Sequence, residues 1–348
     1  MSIFERMKKG GHEQLVFCFN RPTGLRAIIA IHDTTLGTSV GGTRLMAYAG
    51  EDEAVVDALR LSETMTFQSA SLEGDMGGGA AVLMADDPAE PDEAYFRAFG
   101  RFVEGLKGLF LTYPGFGTTD RQFRHVRRET TSVVPMEGNH ELTAVGVIAG
   151  MKACVRDLFG TSSLQGRHVA VQGVGKVGQL LVDELGAEGA EVTVTDVRYD
   201  QIKAVQDRHA GVRVVRPDEI VSVACDVFSP CAVGRVLNDE TIPRLRCRIV
   251  AGAASDVLEE PRHADALKER GILYAPDFVI GGAELYQTEP EFRDATRERL
   301  REEATRIHDV MAALITEAKK ADATPYRVAV DRAARRVERI GTVRNIMC

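Results

Sequence analysis

The sequence predicts an α/β fold in two domains, the second carrying a doubly wound parallel sheet. Three observations support this. The chain has 348 residues, more than a single hydrophobic core usually organises. Its first part mixes short β-rich runs with helical patterns. From Arg167 onward, strand-like and helix-like segments alternate, as βαβ units do.

The elements follow in order. Leu25-Arg26-Ala27-Ile28-Ile29-Ala30-Ile31-His32 reads as a strand. Glu51-Asp52-Glu53 opens a helix with acid in its first turn, where the helix dipole favours it. Val55, Ala58, Leu59, Ser62 and Met65 then form a helical face. Arg167-His168-Val169-Ala170-Val171-Gln172 is a strand, followed by a glycine turn and a helix through Leu180, Leu181 and Leu185. Glu191-Val192-Thr193-Val194-Thr195-Asp196 is the next parallel strand. Further buried strands are expected at residues 225–229, 248–252 and 272–275. A long charged helix is expected over residues 291–320, with Leu300, Ala304, Ile307, Met311, Leu314 and Ala318 on one stripe. It ends at Ala323-Thr324-Pro325, and a last helix runs through Val328, Ala333, Ala334, Val337 and Ile340.

Composition narrows the function. Apolar content of 44% and charge of 27% describe an ordinary soluble globular protein. The net charge of -8 argues against nucleic acid or an anionic membrane as partner, because both require basic surface. No apolar run has the length of a membrane span. Met1-Ser2-Ile3-Phe4-Glu5-Arg6 lacks the apolar core of a secretory leader, so the expected compartment is the cytoplasm. The six cysteines form no disulfide framework. Cys225 and Cys231 match no common zinc spacing and read as buried thiols; no metal is expected.

Gly173-Val174-Gly175-Lys176-Val177-Gly178 follows a strand and opens a helix, the context that gives G-x-G-x-x-G its meaning. The first glycine permits the tight turn. The second lets a pyrophosphate approach the backbone, and the third lets helix and strand pack closely. The helix N-terminus offers N–H groups to the phosphate. Asp196 ends the next strand, where its carboxylate can accept hydrogen bonds from ribose hydroxyls and repels a 2′-phosphate. NAD is therefore the expected cofactor. Val197 and Arg198 complete this edge, and an arginine there weakens the bias against NADP. The bland alternative is a glycine turn that no longer binds anything.

Across nearly its whole length the chain resembles the glutamate, leucine, valine and phenylalanine dehydrogenases, the leucine enzymes most of all. The residues that carry the resemblance include Ala30-Ile31-His32-Asp33-Thr34-Thr35-Leu36-Gly37, Gly41-Gly42-Thr43-Arg44, Asp57-Ala58-Leu59-Arg60-Leu61-Ser62 and Met65-Thr66-Phe67. Gly77-Gly78-Gly79, Gly117-Thr118-Thr119, Pro230-Cys231-Ala232 and Tyr274-Ala275-Pro276-Asp277 add to it. The resemblance implies a mixed-sheet substrate and oligomerisation domain over residues 1–131 and a Rossmann-type NAD-binding domain over 132–322. Residues 323–348 would form a helix that returns to the first domain. It also implies a cleft that closes on a small-molecule substrate, and a homo-oligomer. Val40, Gly41, Gly42, Met65 and Gln68 would line the substrate site. Thr143, Cys231, Ala232, Ala253 and Ser255 would join the glycine turn around the cofactor.

The likeness fails where the family does its chemistry. A lysine that holds the substrate carboxylate, a second lysine of lowered pKa and an aspartate fall at positions occupied here by Gln68, Ala80 and Gly115. Hydride leaves the α-carbon only once the amine is neutral, and imine hydrolysis needs a base for water. Gln68 can hydrogen-bond a carboxylate but cannot neutralise it; Ala80 and Gly115 do neither job. The loop after the first domain is shortened to residues 131–142, leaving Gly138-Asn139-His140-Glu141 before Thr143. Acids appear at Asp256 and Glu284, where the family has neutral residues, and Glu73 and Asp75 lie near the replaced lysines in sequence. Any of these is a surface acid on the dull reading. Glu284, in a turn that by resemblance faces the nicotinamide, is the first candidate for a new catalytic group, and Tyr113 and His140 follow. The expected function is an NAD-dependent oxidoreductase moved away from ordinary deamination, towards an amine, imine or alcohol of specialised metabolism. The alternatives are a non-catalytic NAD-binding subunit of a partner enzyme, and a lyase or isomerase with tightly bound NAD.

Overall fold

The computed structural model describes residues 1–87, 91–135, 139–232, 234–292 and 294–344. The chain divides into two units: residues 1–137, 288–290 and 333–348 form the first, and residues 138–287 and 291–332 the second.

The first unit begins with helix α1 (Ile3–Gly10), capped by Ser2 and Glu5 in a reciprocal box. Strands β1 (Gln14–Asn20) and β2 (Leu25–Asp33) form a hairpin. Strand β3 (Ser39–Met46), helix α2 (Glu51–Ser71) and strand β4 (Gly77–Met84) follow. Helix α3 (Glu93–Gly105), strand β5 (Phe110–Pro114) and helix α4 (Asp120–Val126) complete the run. The sheet order is β1-β2-β4-β3-β5, antiparallel on the β1-β2-β4 side and parallel on the β4-β3-β5 side. The period of two along the strands sets both faces. Ile28, Ala30, Val82 and Met84 pack with Ala54, Val55, Ala58 and Leu59 of α2. Ala27, Ile29, Ala81 and Leu83 turn the other way, onto Phe96, Phe99, Phe123 and Val126 of α3 and α4.

Two histidines lie beside α2, His32 buried and His12 partly so. The His12 and His32 rings meet edge to face, with centroids 4.7 Å apart. Nε2 of each lies 2.8 Å from a carbonyl, of Leu59 and Gly10 respectively, so each ring donates there. The Thr66 hydroxyl lies 2.8 Å from the other nitrogen of His32. Burial lowers both pKa values, that of His12 from 6.5 to about 4. The unfolded chain therefore binds protons that the folded chain refuses. Stability is full above pH 6.5 and falls as the pH drops towards 4, by at most about 1.4 kcal/mol per pH unit for each histidine. Urea titrations between pH 7 and pH 4.5 are expected to show this loss, and His12→Gln should flatten it. An unchanged slope in the variant would exclude His12 as the cause.

The second unit opens on helix α5 (Asn139–Phe159), apolar on nearly all sides because other helices surround it. Strand β6 (His168–Gln172), helix α6 (Lys176–Ala187), strand β7 (Glu191–Thr195), helix α7 (Tyr199–Arg208) and strand β8 (Arg213–Val214) form the first half of the sheet. Strands β9 (Val227–Pro230), β10 (Ile249–Val250) and β11 (Leu273–Tyr274) form the second, with helices α8 (His263–Glu269) and α9 (Asp277–Ile280). The order is β11-β10-β9-β6-β7-β8, every pair parallel. The connection reverses direction between β6 and β9, and ligands of doubly wound sheets bind at such a switch point, beyond the carboxyl ends of the strands.

The single helix expected over 291–320 is two. A 3₁₀ turn at Pro290–Phe292 precedes helix α10 (Arg297–Thr305), and α11 (Ile307–Ala321) begins after a break at Arg306. The Thr296 hydroxyl accepts the Arg299 N–H and starts the first helix. The apolar stripe survives, with Leu300, Ala304, Ile307, Met311, Leu314 and Ala318 all buried. The last helix, α12 (Pro325–Arg344), starts at a proline, which is tolerated in a first turn. Its Ala333, Val337 and Ile340 pack with Leu36, Phe67 and Ala70 of the first unit. Among the described residues, no helix is long and apolar enough to cross a membrane.

Candidate functional site

In the first unit, the expected substrate residues gather where α2 lies on β3 and β4. A Cβ added to Gly78 would stand 2.1 Å from Thr66 Oγ1, and one on Gly41 would stand 1.7 Å from the Gly79 carbonyl. Gly78 therefore seats α2, which carries Met65 and buried Gln68, directly on the sheet, and Gly41 lets β3 and β4 approach closely. Val40, Gly41 and Gly42 pair with Leu111, Thr112 and Tyr113 of β5. The Tyr113 ring lies over Gly42, and its hydroxyl donates to Met65 Sδ at 3.7 Å. Tyr113, Met65 and Gly42 are thus brought together. Ala80 sits in β4 opposite Ala30 and is 1% exposed.

Gly115 is built into the backbone. Its N–H donates to the Thr43 carbonyl at 3.1 Å, and the Thr118 hydroxyl closes over the turn, 3.0 Å from the same carbonyl. A Cβ on Gly115 would stand 2.9 Å from Thr43 O and 3.3 Å from Thr43 N. The niche admits no side chain without a shift of backbone. Arg44 of the Gly-Gly-Thr-Arg motif gives both nearby contacts to Asp57, at 2.9 and 3.0 Å, and Tyr48 donates to the same carboxylate at 2.7 Å.

The acids at positions 73 and 75 have structural duties. Glu73 takes a left-handed backbone, φ 61°, and its carbonyl accepts from Arg336. Asp75 pairs with Arg336 at 2.7 Å. Glu289, buried and absent from the sequence reading, accepts the Asp75 N–H at 3.1 Å. Its partner lies more than two hundred positions away, so no local pattern could have flagged it.

In the second unit, the glycine turn stands at the switch point. Gly173 has φ 94°, a conformation closed to most side chains. A Cβ on Gly178 would lie 2.1 Å from the Gly173 carbonyl, whereas one on Gly175 would meet nothing within 4 Å. The second glycine therefore faces open space at the start of α6, ahead of Lys176 and Val177. Asp196 follows β7. Its carboxylate accepts the Val174 N–H at 2.8 Å and the Arg198 N–H at 2.9 Å. It stays partly exposed, with lone pairs for ribose hydroxyls. Val197 is exposed, and Arg198 pairs with Asp200. These features fit a dinucleotide: a turn that admits backbone approach, an open helix start and an acid beside it.

The loops after β9 and β10 complete this edge. The Cys231 N–H donates to the Gln172 carbonyl at 2.7 Å, and Ala232 packs against Gly173. Burial pushes the Cys231 thiol above its ordinary pKa. Ala253 and Ser255 lie in the loop after β10, Ser255 exposed. Asp256 is no loose acid: it pairs with Arg235 at 3.5 Å. Asp277, after β11, is buried with its pKa raised by burial, and it accepts the Tyr274 hydroxyl at 2.7 Å and the Val257 N–H at 3.2 Å.

Glu284 lies in the 3₁₀ segment Gly282–Thr288, which continues from α9 at the same edge. It is half-buried, and the Thr143 hydroxyl lies 3.3 Å from its Oε2. Two residues singled out separately in sequence, 141 positions apart, thus meet. His140 stands half-buried in the first turn of α5, one turn before Thr143. Gly138 lies outside the described residues. Among the described residues, no group of three or more His, Cys, Asp or Glu side chains is placed to hold a metal.

Residues 12–132 match the Glu/Leu/Phe/Val dehydrogenase dimerisation domain, and residues 193–342 match the Glutamate/Leucine/Phenylalanine/Valine dehydrogenase domain. The chain belongs to the Glu/Leu/Phe/Val dehydrogenase family. Among relatives within the family, leucine dehydrogenase of Geobacillus stearothermophilus is 42% identical over 99% of this chain and 95% of its own length. Phenylalanine dehydrogenase of Lysinibacillus sphaericus is 42% identical over 86% of this chain and 81% of its own. The L-tryptophan dehydrogenase of Nostoc punctiforme superposes with a TM-score of 0.77 at 38% identity, covering 97% of this chain and 99% of that one. A hetero-hexameric glutamate dehydrogenase of Thermus thermophilus, 18% identical with a TM-score of 0.78, shares the fold.

Proposed function

We propose that this protein is an NAD-dependent oxidoreductase acting on a preformed imine, a secondary amine or an alcohol rather than on a free α-amino acid. The observation that carries the reading is the neutral trio Gln68, Ala80 and Gly115 on an otherwise intact family scaffold, with the Gly115 niche closed to a side chain. A substrate that lacks a free carboxylate needs no cation to hold it. A substrate that arrives as an imine needs no base to make one.

The glycine turn and the start of α6 would hold the pyrophosphate, and Asp196 the ribose. Bound NAD supplies or accepts the hydride. The chain contributes orientation and one titratable group. Thr143 fixes the Glu284 carboxylate by a hydrogen bond, and Glu284 Oε1 or Oε2 would hold the proton or the positive charge of the substrate nitrogen. Tyr113 shapes the substrate side through Gly42 and Met65. A homo-oligomer belongs to the same reading. The edge strand β1 leaves Phe17 and Phe19 52% and 67% exposed within the stretch that matches a dimerisation domain.

Calorimetry is expected to show NAD bound more tightly than NADP, because Asp196 repels the 2′-phosphate. In a screen of cyclic imines with NADH, Glu284→Gln should bind NADH as the wild type does and lose about 10²–10⁴-fold in kcat. An unimpaired Gln variant would retire Glu284. Absence of any turnover, with NAD binding intact, would favour a non-catalytic subunit.

A further inference from the structure

Two of the non-glycine residues with left-handed backbone face each other at the dinucleotide edge. Arg235 has φ 61° and Asp256 has φ 60°. A bulky side chain such as arginine is rare in that region, and such a conformation persists only where its surroundings over-determine it.

Those surroundings are specific. The loops after β9 and β10 are first tied near the sheet, where the Ala254 N–H donates to the Pro230 carbonyl at 2.9 Å. They are tied again further out. The Arg235 N–H donates to the Asp256 carbonyl at 2.7 Å, and the guanidinium Nε lies 3.5 Å from Asp256 Oδ2. Gly234 lets the backbones touch: a Cβ there would stand 2.6 Å from the carbonyls of Ser255 and Asp256. Ala232 and Ser255 lie between the two ties, and Ala253 directly precedes the first. Ala232 also presses on Gly173, the first glycine of the turn. Beyond Asp256, the Val257 N–H donates to Asp277, at the head of the segment that carries Glu284. The Asp256 side chain is 11% exposed and that of Arg235 33%, so the pair is partly shielded from water.

We propose that Arg235 and Asp256 are positioning residues of the dinucleotide site. Their pair locks the loops after β9 and β10 at the separation that NAD requires, and transmits that separation to the Glu284 segment. The proposal rests on the NAD reading above. The two strained backbones would relax if the pair were not holding them, and glycine at either position removes the strain.

The test separates positioning from plain stability. Arg235→Gly and Asp256→Gly place at φ near +60° the residue that suits it, so Tm should hold or rise. NADH affinity, read by fluorescence titration, should nevertheless fall about ten-fold in each, and the double variant should fall no further than the worse single, because the two residues act as one unit. Arg235→Lys keeps the charge and should retain affinity to within about three-fold. Variants within about two-fold of wild type, or losses that add independently, would overturn the proposal while leaving the NAD reading intact. A wild-type protein that does not bind NADH would overturn both.

Discussion

Leucine, valine or phenylalanine supplied with NAD is expected to yield NADH more slowly than about 0.1 s⁻¹. Enzyme turnover commonly runs near ~10 s⁻¹, and loss of a positioned acid or base costs roughly 10²–10⁴-fold. On the proposed reading, Gln68 leaves the substrate carboxylate without a counter-charge, Ala80 offers no group to take the ammonium proton, and Gly115 offers no partner acid. Because residues that act as a unit are not additive, the combined loss should stay within that same range. A spectrophotometric assay at 340 nm decides the point. Turnover of roughly 1–10³ s⁻¹ would refute the reading and require a substitute base. Restoring Gly115→Asp alone should not help. Its Cβ would stand 2.9 Å from the Thr43 carbonyl, and overpacking against backbone costs about 1–3 kcal/mol.

The second large effect is expected in the glycine turn, and it separates folding from binding. Gly178→Ala places a Cβ 2.1 Å from the Gly173 carbonyl, so the turn or the helix has to move. The variant should lose about 1–3 kcal/mol of stability, and if the same distortion opens the phosphate cradle, NADH affinity should fall about 5–150-fold. Gly175→Ala is the informative companion. A Cβ there meets nothing within 4 Å in the protein itself, so Tm should barely change. If a pyrophosphate approaches that backbone, as the motif implies, affinity should still fall by at least ten-fold, or about 1.4 kcal/mol. Calorimetry on both variants, with thermal melts alongside, would show it. Unchanged NADH binding in Gly175→Ala would mean that no phosphate lies there.

Much of the candidate site was legible because its signals are local. The turn 173–178 combines glycine spacing, a preceding β-branched run and a following helix, all within one βαβ unit. Asp196 is legible as the acid that ends the next strand, and in the fold it accepts the Val174 N–H. Glu284 stood out as an acid in a glycine-rich turn, and its Thr143 partner was marked for another reason. Asp256 was also marked, as a possible loose acid, and the fold gives it Arg235 instead. The sequence suggests one long helix over 291–320 because an apolar stripe with steps of three and four passes unbroken through Arg306, although the helix itself breaks there.

The sequence by itself determined the α/β class, the parallel second sheet, the glycine turn and the neutral residues at 68, 80 and 115. Each depends on a residue type or on a period of two or 3.6, which covalent geometry imposes within a few neighbours. Tertiary structure alone decided that Glu289 caps the turn at Asp75, that Arg336 holds the same turn, and that Arg235 and Asp256 meet in left-handed conformations. It also decided that the space beside Gly115 is filled by the Thr43 backbone. These contacts join segments far apart in the chain. Their energy depends on distance and burial after the sheets have assembled, and neither quantity is carried by local residue order.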